Sequence, residues 1–162
     1  MSARGLPVLG AAPPIEAAAW LNTEAPITLG ALRGRVVLLH AFQMLCPGCV
    51  LHGLPQAQRV ARLARDDLVV LGLHSVFEHH DAMTPAALAA FAHEFGLRFP
   101  IAIDAHRGGD PLPATMRAYA LQGTPTTLLV DRGGRLRLQR FGAMEDMALG
   151  AAIATLAAEP AG

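Results

Sequence analysis

Residues 36–49 read Val-Val-Leu-Leu-His-Ala-Phe-Gln-Met-Leu-Cys-Pro-Gly-Cys. The run Val36 to Phe42 is nearly continuous in apolar strand formers and broken only by His40, the pattern of a strand covered on both faces and therefore central in a sheet. After Cys46 the period changes. Leu54, Ala57, Ala61 and Ala64 recur at helical spacing, while Gln58, Arg59, Arg62 and Arg65 occupy the other side, so a helix is expected, bent at Pro55. Leu68 to Leu73 is a second apolar run. A strand, helix, strand order of this length makes a right-handed parallel crossover, so the sheet is expected to be at least partly parallel.

The two cysteines stand at the junction of that strand and that helix. A cysteine reacts as its thiolate, and the first turn of a helix stabilises the anion with unpaired N–H groups and the positive end of the macrodipole. Pro47 suits this turn because it surrenders an N–H that has no partner there and already holds the helical φ. Cys49, one turn on, is within reach of Cys46. The spacing suits attack on a disulfide by Cys46 and resolution of the mixed disulfide by Cys49. A structural zinc pair extended by His52 (Cys-x-x-Cys-x-x-His) and a pair of inert core cysteines are the alternatives, and no second cysteine pair exists to complete a zinc tetrahedron.

Outward from this unit, Thr84-Pro85 places a capping hydroxyl before a first-turn proline, Leu88, Phe91 and Phe95 mark one helical face, and Gly96 ends the helix. Phe99 to Ile103 reads as a short strand and Pro113 to Leu121 as a short helix. Thr126 to Asp131 and Leu136 to Phe141 flank Arg132-Gly133-Gly134, a hairpin signal, and Leu149, Ile153 and Leu156 mark a closing helix. Residues 1–19, rich in alanine, proline and glycine, are expected to be an irregular lead-in to one domain over residues 20–158. Asp104 to Leu112 is expected to be a mobile loop.

The 162-residue chain is 52% hydrophobic, enough for one core without covalent staples. Lysine plus arginine (13) equals aspartate plus glutamate (13), which leaves no basic footprint for nucleic acid or anionic lipid. No apolar run approaches the roughly 18 residues of a membrane span. Two cysteines three positions apart are not a disulfide framework, and Met1 to Pro14 lacks the h-region of a signal peptide, so cytoplasm is the expected location, or periplasm where a leader has been removed.

The order of strand, Cys46-Pro47-Gly48-Cys49, helix, strand, helix-and-strand insertion, Gly123-Thr124-Pro125-Thr126, hairpin and helix resembles the thioredoxin superfamily, in its TlpA-like and redoxin (AhpC/TSA-related) branch. The resemblance runs from about Trp20 to Leu156. Ile27-Thr28-Leu29 and Leu32-Arg33-Gly34-Arg35-Val36-Val37 are similar to that branch's approach to the catalytic strand. It implies an α/β thioredoxin fold with a mixed central sheet and helices on both faces. It also implies that Pro125 is a cis-proline facing the cysteines and that Thr124 offers backbone hydrogen bonds to a substrate chain.

The chain departs from the pattern at several positions. His40 stands where thioredoxins carry a buried aspartate that moves protons for the second thiol, and it is a candidate proton relay with altered acidity. The alternative is a core histidine bonded to a backbone carbonyl. His52 stands where some members carry an acidic relay group and is a second candidate, a solvated surface histidine being the alternative. Met44-Leu45 replaces an aromatic pair.

The resemblance implies a thiol–disulfide oxidoreductase acting on protein or small-molecule disulfides or thiols, recycled by an unidentified reductant or oxidant. It needs no cofactor, since the dithiol itself carries two electrons. A peroxiredoxin-like thiol peroxidase is the nearest alternative, but Gln43 and Leu39 stand where that family places its threonine or serine and its proline. Thiolate-dependent copper or zinc binding, with Glu78-His79-His80-Asp81 as extra ligands, and a non-catalytic interaction module using Met44, Leu45 and Pro125 are the others.

Overall fold

The structure is a computed structural model that describes residues 5–162. A seven-stranded sheet runs in the order β1-β7-β6-β3-β4-β5-β2. Its strands are β1 (Gly10–Ala11), β2 (Ala17–Leu21), β3 (Val36–Phe42), β4 (Leu68–His74), β5 (Ile101–Asp104), β6 (Thr126–Val130) and β7 (Arg135–Phe141). Its helices are α1 (Leu54–Ala61), α2 (Pro85–Glu94), α3 (Ala114–Ala118) and α4 (Asp146–Ala158). The sheet is mixed, as expected: β3 pairs parallel with β4 and antiparallel with β6, and β4 pairs parallel with β5.

Strand β3 is central and buried along its whole length because both of its faces carry apolar side chains. Val36, Leu38 and Phe42 enter a core with Leu54 and Ala57 of α1, Leu88 and Ala92 of α2, and Leu149, Ile153 and Leu156 of α4. Val37, Leu39 and Ala41 enter a second core on the other face with Met116 of α3, Tyr119 and Leu128. The period of two thus sends alternate residues of one strand into two cores, and helices cover both faces.

Several expectations are refined. The segment read as an irregular lead-in contributes β1, paired with β7, and β2, paired with β5. Its period was hidden because both are short edge strands, Gly-Ala in β1 and opening with three alanines in β2; Met1–Arg4 lies outside the described residues. The bend expected at Pro55 takes the form of a widened turn over Cys49–Gly53, closed by Leu54 N–H donating to the Cys49 carbonyl. A proline ring crowds the carbonyl four residues back, and the wider turn relieves that contact. The loop Asp104 to Leu112, expected to be mobile, is pinned by an Asp110–Arg117 ion pair and by His106 Nε2, 2.7 Å from the Val76 carbonyl. Asp104 itself is buried and accepts from Ser75 Oγ at 2.8 Å and from the Thr115 and Met116 N–H groups at 2.8 and 3.0 Å, holding the start of α3. Thr84 caps α2 as expected, accepting from Ala87 N–H at 3.2 Å.

Candidate active site

Cys46 follows β3 by one short turn, in which its N–H donates to the Gln43 carbonyl at 3.1 Å. Helical structure begins at Pro47, and the Cys46 carbonyl accepts the first helical bond, from Val50 N–H at 3.1 Å. Cys46 is half-buried and Cys49 fully buried, and both are free thiols. The Cys49 N–H donates to Cys46 Sγ at 3.3 Å, an unpaired amide of the first turn aimed at the sulfur that gains most from it as a thiolate. Burial first, and then the hydrogen bond with Cys46, push the Cys49 thiol up to about 12. One sulfur is therefore partly exposed and donor-supported, and the other is kept protonated in the interior.

The Thr124–Pro125 peptide is cis, as expected, and it lies against the cysteines. Cys46 Sγ donates to the Thr124 carbonyl at 3.5 Å. A Cβ on Gly48 would stand 3.3 Å from Pro125 Cδ, so the glycine in the Cys-Pro-Gly-Cys turn permits this approach. The loop is held by Thr126 Oγ1 donating to the Gly123 carbonyl at 2.7 Å and by Gly142 N–H donating to the Pro125 carbonyl at 2.8 Å.

His40 is 2% exposed and points from β3 toward the start of the helix. Its Nε2 is buried and has no hydrogen-bond partner among the described residues, so the backbone carbonyl expected of a purely structural histidine is missing at this atom. Burial pushes its pKa down from 6.5 to about 4. Gly53 makes room for it: a Cβ there would lie 2.6 Å from Nε2 and 3.0 Å from Pro125 Cβ. His52 is exposed on the wall of a groove of about 580 Å3 that the buried His40 and Pro125 also line. The fold therefore brings His40, His52 and Pro125 to one groove, with Cys46 and Thr124 on a neighbouring groove of about 380 Å3 beside Leu45 and Phe77.

Two buried polar residues that hold this site were not singled out for that role in the sequence. Gln43 Oε1 accepts from Phe77 N–H at 3.1 Å and its Nε2 donates to Glu78 at 3.3 Å, stitching the segment after β4 to the turn before Cys46. His74 Nε2 accepts from Met44 N–H at 3.1 Å. The available signal was a polar residue closing each of two adjacent apolar runs, Gln43 after Phe42 and His74 after Leu73. Within Glu78-His79-His80-Asp81, Glu78 takes the Gln43 donor and His80 Nε2 lies 3.1 Å from the Pro111 carbonyl. Among the described residues no group of three or more histidine, cysteine, aspartate or glutamate side chains is arranged to share an ion. No helix among them is long and apolar enough to cross a membrane.

A family model described as the AhpC/TSA family matches residues 8–139. A solved thioredoxin-like superfamily protein superposes with a TM-score of 0.89 at 50% identity, covering 93% of this chain and 98% of its own. A thiol-disulfide isomerase from Corynebacterium glutamicum superposes with a TM-score of 0.87 at 48% identity, covering 92% and 98%. Protein DipZ of Mycobacterium tuberculosis is 32% identical over 126 residues, which are 76% of this chain and 17% of DipZ, so the chain spans about a sixth of the curated relative it matches.

Proposed function

We propose that this chain, which belongs to the AhpC/TSA family and has the thioredoxin fold, is a thiol–disulfide oxidoreductase whose working pair is Cys46 and Cys49. The observation that carries the reading is the Cys46 sulfur, half-buried at the start of a helix, accepting the Cys49 N–H beside a cis Thr124–Pro125 peptide. Likeness to a thiol-disulfide isomerase at 48% identity supports the same class of chemistry.

In the reducing direction, the Cys46 thiolate attacks one sulfur of a substrate disulfide. A Cys46–substrate disulfide forms and the other substrate sulfur leaves as a thiolate. Cys49 then loses its proton and attacks the Cys46 sulfur. The Cys46–Cys49 bond forms, the second substrate thiolate leaves, and the two protons of the dithiol end on the two product thiols. The raised pKa of Cys49 means that this second step needs a proton acceptor. His40 is our candidate through the groove, since its Nε2 is buried beside the start of the helix and lacks a partner among the described residues. His52 on the groove wall is the candidate to pass the proton to solvent. Pro125 and the Thr124 backbone orient the substrate chain.

The peroxidase reading has less support, because the Gln43 carboxamide is engaged by Phe77 and Glu78 rather than free beside the thiol. The thioredoxin-like unit is taken as residues 20–158 with the two N-terminal strands added to the sheet. In a cytoplasm the thiol pools hold such a pair reduced and the protein donates electrons. The test is equilibration against a graded glutathione or dithiothreitol redox series, with the state of the pair read by alkylation mass shift. A reversible two-electron transition is expected, and failure to form the disulfide at any poise overturns the reading.

A further inference from the structure

The groove beside Pro125 contains a polar row that the dithiol chemistry leaves unexplained. His40 of β3 pairs in register with Thr127 of β6, and Thr127 pairs with Arg140 of β7. The adjacent row on the same face, Leu38, Leu129 and Leu138, is apolar and belongs to the core. The sheet thus changes from hydrocarbon to hydrogen-bonding groups where the helices above it part. His40 brings a buried Nε2 without a partner, Thr127 is buried, and Arg140 has no ion pair among the described residues.

The opposite wall is the start of α4. There Asp146 is already neutralised by two bonds from Arg59, at 3.1 and 3.0 Å, and by Gln56 at 3.0 Å. Glu145, the residue before the 13-residue helix, caps nothing with its side chain and lines this wall together with Asp146. Gly53 keeps the floor open, since a Cβ there would fill the space above Nε2. A volume of about 580 Å3 lies in the range of small-molecule sites. Arg140 and the Thr127 hydroxyl line the groove against one unneutralised carboxylate among the described residues, that of Glu145, so the recognised group is an anion small enough to sit beside Arg140.

We infer that this groove is a carboxylate-recognition subsite, and that the preferred substrates of the dithiol are low-molecular-weight disulfides bearing carboxylates, held at Arg140 while their disulfide lies against Pro125. The inference rests on the dithiol reading and adds the substrate class. The reaction is the two-electron exchange already written, with the small disulfide reduced to two thiols and the Cys46–Cys49 pair oxidised.

The experiment measures single-turnover oxidation of the fully reduced protein by glutathione disulfide and by the same disulfide with its carboxylates amidated, each rate divided by the rate at which that disulfide oxidises free mercaptoethanol. The carboxylate form is expected to react about tenfold faster after this correction, the effect of one charge-assisted hydrogen bond. In Arg140→Gln the ratio should fall to near one, and in Arg140→Lys most of it should return. A ratio near one in the unaltered protein, or an unchanged ratio in Arg140→Gln, overturns the subsite. A carboxylate preference seen only with an acidic peptide disulfide overturns the low-molecular-weight assignment. Uncharged hydroxyethyl disulfide serves as the separate control: if it and both glutathione forms fail to oxidise the pair, the dithiol reading itself is lost.

Discussion

His74 Nε2 accepts the Met44 backbone N–H at 3.1 Å, tying the end of β4 to the turn that delivers Cys46. The contact follows from parallel register: Phe42 and His74 are partners, Ser75 N–H donates to the Phe42 carbonyl at 3.1 Å, and the His74 ring packs on Phe42 with centroids 5.1 Å apart. An accepting Nε2 places the proton of the neutral ring on Nδ1. Replacing His74 with Phe keeps the packing but strands the Met44 N–H. We expect a loss of about 1–3 kcal/mol in urea unfolding, with a smaller loss in His74→Gln, whose side-chain oxygen can accept.

Two buried histidines make stability depend on pH. His40 and His74 both have their pKa pushed down from 6.5 to about 4 by burial. Between those values the unfolded chain binds more protons than the folded one, so folding stability rises with pH through this window. The contribution is complete above pH 6.5 and is lost as pH falls toward 4, by roughly 3 kcal/mol per histidine. Urea midpoints measured from pH 7 to pH 4 should fall accordingly, and His40→Phe should flatten the dependence by about half of the histidine contribution.

The unequal environments of the thiols predict unequal labelling. Iodoacetamide at neutral pH should modify Cys46 in the folded reduced protein and reach Cys49, which is 0% exposed with a thiol pushed up to about 12, only after unfolding. Cys46→Ser should abolish exchange, whereas Cys49→Ser should accumulate mixed disulfides visible by mass spectrometry. Equal residual turnover in the two variants removes the assignment of roles.

Gly53 is held to glycine by contact rather than by backbone angle. In Gly53→Ala the new methyl meets His40 Nε2 at 2.6 Å and Pro125 Cβ at 3.0 Å. Overpacking of about 1–3 kcal/mol outweighs the gain in helix propensity of about 1 kcal/mol. The thermal midpoint should drop by a few degrees, and the His40 imidazole resonances should shift with it.

What the sequence determined by itself was whatever depends on periodicity and on local backbone chemistry. The apolar runs Val36 to Phe42 and Leu68 to Leu73 are parallel neighbours, because buried strands advertise themselves by unbroken hydrophobicity. Thr84-Pro85 and Arg132-Gly133-Gly134 mark a helix start and a hairpin, because cap and turn residues act within a few positions. Cys46, Cys49, Thr124 and Pro125 were legible as one group only through a motif and a family order, although 78 residues separate Cys46 from Thr124.

Tertiary structure alone decided which polar side chains support that group. Strands Gly10–Ala11 and Ala17–Leu21 exist because exposed sheet edges offered them partners, and their own sequence carries no alternating signal. His40 Nε2 is left without a partner among the described residues, while His74 and Gln43 acquired theirs from other segments. Arg140 came to share a row with His40 across three strands. Hydrogen bonds and grooves form between residues distant in the chain, and register decides which side chains meet. Register is a property of paired strands, so no single segment read alone contains it.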